Sequence, residues 1–438
     1  MKKVDLTTGE VTRVILNLAI PIMGSSLLQF TYNLVDMFWV GGLGSNSVAS
    51  VGSSSFFIGM GYSINSLVVI GTGIKVAHAV GENDNISVKE YINCGIFINF
   101  VLGIIYALVL IFLRKSFIGF LNLNNEEVQS GAYIYLAISA PMMFFTFFNI
   151  LYTRILNSFG NNKSALKINA LGIIINMILD PFFIYSMHLG VKGAALATLI
   201  SNIAMFIVFK NKARGLFKFN FPLGIRRNKL MEIIKLGFPM AFQRILFTMV
   251  NIALARLIAI FGANAIAAQK IGLQIESITF MVIGGLNGAM ASFTGQNYGA
   301  KKYNRINEGY ISSLKIGIIY SLITALLFIT LPGSLVRIFI RDEETVLIAS
   351  NYLRIVALAQ IFSAIEMVSN GLFTGIGKPK IPAYISISFT ALRVPIALIL
   401  MKFMGIDGVW CSIAFSSVFK GICSYVIYKR GKYYNRKV

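Results

Sequence analysis

Long apolar runs of about twenty residues or more alternate with short polar connectors along almost the whole chain. They fall at 14–40, 48–73, 92–113, 130–152, 164–187, 190–209, 232–260, 264–292, 309–331, 346–372, 381–402 and 406–428. A helix of that length crosses the hydrocarbon core, and its backbone groups are satisfied internally. The pattern therefore predicts twelve transmembrane helices in an all-α integral membrane protein. An even number of spans puts both termini on one side. The polar start, Met1 to Arg13, leads straight into a run too long for a signal-peptide core and without a small-residue cleavage site, so the first helix is expected to remain.

Composition narrows the class. Hydrophobic residues make up 56% and charged residues 13%, with mean hydropathy +0.74, whereas soluble domains carry roughly 25% charge. A net charge of +22 would suit a nucleic-acid binder, but no compact basic domain carries it. The positive residues sit mainly in short loops on the side shared by the termini. On the opposite side fall Arg114, Lys115, Lys192, Arg337, Arg341 and Lys402, which places both termini in the cytoplasm by the positive-inside rule. Cys94, Cys411 and Cys423 lie in apolar runs without paired spacing. His78 and His188 lie in or beside opposite loops, so neither a histidine metal centre nor a His-dependent triad is expected. No enzyme site and no cofactor is expected.

The chain also repeats itself. Ile15, Leu18, Pro21, Gly44, Asn46, Ala49 and Gly81 recur 218 positions later as Ile233, Leu236, Pro239, Gly262, Asn264, Ala267 and Gly299. The basic stretch around Lys210 to Lys229 separates six runs from six, and six is even, so two equivalent lobes related by a pseudo-two-fold axis along the membrane normal are predicted. The expected domains are 1–210 (first lobe), 211–230 (basic cytoplasmic linker), 231–428 (second lobe) and 429–438 (basic tail). Pro21 and Pro239 stand at the same point of each lobe's first helix, where a missing N–H and a ring clash permit a bend.

Ionisable residues inside the membrane are functional candidates by default. In the first lobe these are Asp36 in helix 1 and Asp180 in helix 5, with Asn176 one turn before Asp180 on the same face. Neither acid has an obvious neutralising partner on its own helix apart from Lys167, near the start of helix 5. Two such carboxylates compete for a proton or another small cation. Asp36 maps by the repeat to Leu254, and Asp180 maps near Val394, beside Arg393, so the acids belong to the first lobe alone.

At these residues the sequence resembles the multidrug and toxic compound extrusion (MATE) transporters. The resemblance rests on Pro21, Gln29 and Asp36-Met-Phe-Trp-Val-Gly-Gly-Leu-Gly44, on Asn176 to Pro181, and on Gly190-Val-Lys-Gly-Ala-Ala-Leu-Ala-Thr198. In the second lobe it rests on Ala267-Ala268-Gln269 and Gly295-Gln-Asn-Tyr-Gly-Ala300. It implies a twelve-helix antiporter that exports amphipathic, often cationic, organic compounds in exchange for inward H+ or Na+. Asp36 then stands for the family's helix-1 acid, Asp180 and Asn176 for its helix-5 pair, and Thr198 for the polar helix-6 residue. Gln29, Tyr32, Asn149 and Thr153 are further cavity candidates. The NorM-type branch has acids in helices 7 and 10 of the second lobe, where this chain has Gln243 or Arg244 and Ser363, so the pattern is closer to the DinF-type branch.

The second lobe carries Arg244, Arg256, Lys270, Arg354 and Arg393 against Glu276 and Glu366. One reading is internal pairing with these acids plus snorkelling to an interface. Another is a cargo with an anionic or strongly polar group facing this lobe, which makes Gln243, Arg256, Glu276 and Glu366 cavity candidates. The alternative function is a flippase of lipid-linked oligosaccharide or peptidoglycan precursor in the same superfamily. Expected partners are a small organic cargo and the bilayer, not nucleic acid, with the protein acting as a monomer.

Overall fold

Each apolar run is helical, two of them as pairs of helices, and most helices outrun the run that predicts them. The computed structural model describes residues 4–121, 123, 125–212 and 225–431, and no strand occurs among them. In order they form α1 (Val11–Gly41), α2 (Ser45–Gly81), α3 (Asn85–Phe120), α4 (Glu126–Ser158), α5 (Asn162–Pro181) with a π-helical turn (Phe182–Ser186), and α6 (Val191–Lys212). The second half forms α7 (Arg227–Ala259), α8 (Ala263–Gly299), α9 (Tyr303–Thr330), α10 (Pro332–Arg337), α11 (Glu343–Ala357), α12 (Ala359–Gly375), α13 (Lys380–Ala391), α14 (Arg393–Met404) and α15 (Ile406–Arg430). Among the described residues eleven spans are long and apolar enough to cross a membrane, α13 with α14 counting as one. A twelfth results if the bent pair α11 and α12 is one span. The protein is thus an all-α, multi-pass membrane protein.

Asparagine and aspartate set several helix starts by accepting from first-turn amides. Asp84 accepts from the N–H groups of Ile86 and Ser87 at 3.1 and 3.0 Å, and the Ser87 hydroxyl, together with these amides, holds its carboxyl below the usual range. Asn125 caps α4 in the same way, through Glu127 and Val128.

Two expected spans are broken. The span made of α13 and α14 divides at Leu392 because Pro395 has no N–H and its ring crowds the carbonyl four residues back. The span made of α11 and α12 bends by 53° between Ala357 and Ala359 with no proline or glycine at the break. Its two halves converge on one carboxylate: Tyr352 Oη donates to Glu276 Oε2 at 2.5 Å, and Gln360 Nε2 donates to Oε1 at 2.6 Å. The short helix α10 is also absent from the hydropathy pattern.

The helices group into two units whose limits differ from the sequence expectation of 1–210 and 231–428. The first unit comprises Gly24–Ala241 with the stretch ending at Asp5; the second comprises Leu6–Met23 with the chain from Phe242 onward. The first half of α1 therefore packs with the second unit, and the first half of α7 with the first.

In the first unit α7 lies against α2 so closely that a Cβ on Gly237 would stand 1.7 Å from the Leu67 carbonyl oxygen, and one on Gly71 would stand 2.1 Å from that of Ile233. Charge holds the same helix start. Arg226 Nε pairs with Glu90 at 3.0 Å, Lys229 bonds the same buried carboxylate, and Lys75 meets Glu232 at 2.5 Å. The expected linker 211–230 is corrected accordingly. Lys212 ends α6, Arg227 to Leu230 form the first turn of α7, and 213–224 lie outside the described residues. The expected tail begins inside α15, and 432–438 lie outside the described residues.

In the second unit the first half of α1 packs on α8, where a Cβ on Gly285 would meet Met23 Cγ at 2.3 Å and the Ala19 carbonyl at 3.3 Å. Ala19 and Gly285 are the repeat equivalents of Gly237 and Leu67, so the same crossing is built twice with the glycine on opposite partners. The spacing Gly371 to Gly375 is likewise packing inside this unit, each Cβ position facing the α8 backbone at 2.6 to 2.8 Å. The run from Phe144 to Phe148 packs with Phe100, Tyr152 and Phe206 inside the first unit.

A candidate cation site in the first unit

Tyr32 and Asp36 are one turn apart on α1, and Asn176 and Asp180 are one turn apart on α5. The two helices are joined just beyond the acids. Tyr185 Oη, in the π-helical turn, donates to the Trp39 carbonyl at 2.6 Å, and the two rings meet edge to face at 6.0 Å. The turn widens there because Pro181 cannot supply the amide that the Met177 carbonyl would accept. α6 comes in against it at Gly193, where a Cβ would stand 2.7 Å from the Phe183 carbonyl.

Asp180 is completely buried and Asn176 is 2% exposed, while Asp36 is half-buried. With the Asn176 amide oriented to satisfy both neighbours, its nitrogen donates to Asp180 Oδ2 at 2.8 Å and its oxygen accepts from the Thr198 amide at 3.1 Å. The Thr198 hydroxyl donates to the Ala194 carbonyl at 3.0 Å, and Tyr32 Oη lies 3.4 Å from it. Asp36 interacts electrostatically with Asp180, and the buried Tyr135 of α4 with both. Among the described residues no lysine or arginine forms an ion pair with either acid. The negative charge of the pair is unbalanced, and two carboxylates with hydroxyl and amide oxygens nearby suit a proton or a hard monovalent cation.

The structure thus gathers Asp36, Tyr32, Asn176, Asp180 and Thr198. It assigns the other first-lobe candidates elsewhere. Asn149 donates to the carbonyl and Oδ1 of Asn202 at 2.9 and 3.1 Å, and Thr146 joins the same side chain at 3.0 Å. Thr153 lies 3.4 Å from Asn169, and Gln29 bonds Asn33 on its own helix. Sequence reasoning missed Tyr135 and Asn202, whose only signal was a polar atom amid an apolar run.

In the second unit Glu366 pairs with Lys420 at 3.6 Å. That lysine was not among the charges weighed from the sequence. Glu276 accepts from Tyr352 and Gln360 and also interacts electrostatically with Arg393. Arg256 is exposed in the last turn of α7, while Gln243 is half-buried and Ser363 buried.

Comparison with known proteins agrees with this architecture. The probable multidrug resistance protein NorM of Thermotoga maritima is 26% identical over 98% of this chain and 94% of its own length. The probable multidrug resistance protein YpnP of Bacillus subtilis is 25% identical over 99% and 98%, and the multidrug export protein MepA of Staphylococcus aureus is 26% identical over 92% and 90%. Among solved structures, a MOP superfamily transporter from Pyrococcus furiosus, described as having a binding pocket of reverse polarity that suggests a different function, matches with TM-score 0.93 at 23% identity over 100% and 99% of the two chains. An outward-facing multidrug resistance MATE family transporter matches with TM-score 0.92 at 23% identity over 100% and 99%. The fold is shared with both. The MatE family profile matches twice, over residues 21–182 and 239–399, so that the internal repeat is the family's own, and the chain belongs to the MatE family of transporters.

Proposed function

We propose that this protein is a cation-coupled antiporter that exports amphipathic, mostly cationic organic compounds by alternating access, with H+ or Na+ bound at Asp36 and Asp180. The observation that carries the reading is the pair of acids with Asn176, Thr198 and Tyr32 around them and no basic residue bound to either. The names of the relatives, multidrug resistance and multidrug export proteins, support the cargo class. Binding a cation would remove the unbalanced charge between α1 and α5 and so favour a different packing of the first unit. By linkage, cargo must then weaken cation binding by the factor by which the cation weakens cargo binding. The distribution of Lys and Arg supports a cell-membrane location with both termini cytoplasmic, and the absence of acids at Gln243, Arg244 and Ser363 supports the DinF-type branch. We take the protein to act as a monomer.

The test is uptake of a cationic dye into everted vesicles under separately imposed H+ and Na+ gradients, for wild type and Asp36→Asn. Uptake driven by one gradient and lost in the variant is expected, and it identifies the ion. Dye uptake that persists in the variant would sink the coupling role of Asp36. No uptake under either gradient, with binding of lipid-linked sugar instead, would replace the exporter with the flippase reading.

A further inference from the structure

Gln296 and Asn297, in the stretch Gly295-Gln-Asn-Tyr-Gly-Ala300, take no part in the candidate cation site, yet both are completely buried. They face the chain ahead of α1. Leu6 lies outside any helix, with its side chain 1% exposed and in the same buried cluster as Phe293 and Ile306. Its N–H donates to Gln296 Oε1 at 3.2 Å, and its carbonyl accepts from Asn297 Nδ2 at 3.1 Å and Arg305 Nε at 3.4 Å. Lys302 Nζ donates to the Thr7 carbonyl at 2.8 Å, and Arg305 Nη2 to the Thr8 carbonyl at 2.6 Å. Thr12, in the first turn of α1, lies 2.9 Å from Ser312 of α9 through their hydroxyls. Three successive carbonyls of an irregular segment are thus held by side chains of α8, of α9 and of the turn between them. Thr8 is exposed, so water would satisfy its carbonyl equally well. The bond there anchors the chain rather than rescuing a buried group.

The first unit holds the start of α7 at the same place with other chemistry. There Arg226 and Lys229 reach Glu90, and Lys229 Nζ also donates to Ser87 Oγ at 2.8 Å. α3 and α9 begin 218 residues apart, at Asn85 and Tyr303. The residue of positive φ in each preceding turn, Asn83 or Lys301, keeps that spacing. On this register Ser87 corresponds to Arg305. The cation stands on the incoming chain in the first unit and on the receiving helix in the second. Two unrelated sets of bonds at one place of the repeat mean that the fold demands anchorage of the helix start, by whatever groups supply it.

α1 passes from the second unit to the first after Met23, and its far half carries Asp36. A shift of that half is transmitted along the helix only if the near half is held. We propose that Gln296, Asn297, Lys302 and Arg305 are positioning residues for transport, a clamp on residues 6–8 that fixes the start of α1 to the second unit so that cation binding at Asp36 acts on a held helix. This rests on the reading of the chain as a cation-coupled exporter, and it adds the anchor against which the coupling helix works.

The experiment compares full-length wild type with Lys302→Ala/Arg305→Ala in three readouts. These are amide hydrogen exchange at the start of α1, ethidium affinity in detergent by fluorescence anisotropy, and ethidium uptake into everted vesicles under an H+ or Na+ gradient. Exchange is expected to quicken by about tenfold or more as the segment opens locally. Uptake is expected to slow by about fivefold, with affinity within about twofold, because only the step between states is altered. Lys302→Arg/Arg305→Lys keeps a donor at each place and recovers most of both changes. Lys301→Ala removes an exposed lysine of the same turn and leaves all three readouts as in wild type. Unchanged exchange in the double alanine variant would overturn the clamp. Faster exchange with unchanged uptake would overturn its role in transport, and a fall of affinity together with uptake would assign the four residues to resting packing instead. Failure of the export reading has another signature: wild type takes up no ethidium under either gradient while the exchange difference persists, which removes the transport role along with that reading.

Discussion

Asn176 bridges two elements of the candidate cation site, because its amide faces a carboxylate on one side and a backbone N–H on the other. Asn176→Ala leaves the buried Asp180 without its donor. A carboxylate sealed from water and deprived of a hydrogen bond is strongly disfavoured. Thr198→Val behaves differently. It keeps the backbone amide that Asn176 accepts from and removes only the hydroxyl near Tyr32, a loss on the order of 1 kcal/mol, or about fivefold in cation affinity. Na+ binding to the purified protein should therefore fall much further in Asn176→Ala than in Thr198→Val; the reverse order would mean that the hydroxyl, not the amide, completes the site. Asp36, Asp180 and Asn176 were readable in the sequence because polar atoms are costly in hydrocarbon. Tyr135 and Asn202 were not, because one tyrosine or asparagine in an apolar run has several ordinary uses and only the fold selects among them.

At the scale of the helices, hydropathy yields span number and order but not the places where backbones touch. Gly237 and Gly71 put α7 onto α2 without intervening side chains. Gly237→Ala requires the Leu67 carbonyl to move, and an overpacking cost of about 1–3 kcal/mol is expected. Gly59→Ala, in open space on α2, should instead be neutral or stabilising by up to about 1 kcal/mol through helix propensity. Thermal unfolding of the two variants in detergent checks this, and equal melting temperatures would refute the close crossing. The break at Leu392 is foreshadowed by Pro395. The 53° bend at Leu358 has no local signal, since it depends on Glu276, distant in sequence, drawing Tyr352 and Gln360 together. The ends of the helices were misplaced for a simpler reason: hydropathy marks what lies in lipid, whereas α2 continues as a helix through Lys75 and His78 to Gly81.

The repeat acquires a mechanical meaning only in the whole molecule. α1 passes from the second unit to the first between Met23 and Gly24, and α7 passes from the first to the second between Ala241 and Phe242. These change-overs are themselves 218 residues apart, and each follows its helix's proline, Pro21 or Pro239, within three residues. A helix shared by two units must bend wherever the units move, and the bend is easiest where an i to i−4 hydrogen bond is already missing. Pro21→Ala and Pro239→Ala restore that bond and stiffen the shared helices. Each is expected to slow gradient-driven dye uptake several-fold while leaving dye affinity within about twofold, because the binding groups are untouched and only the step between states is altered. The double substitution should be slower than either alone, since the two helices flex in one motion. If affinity and uptake fall together in both variants, the prolines shape the resting packing and the molecule bends elsewhere.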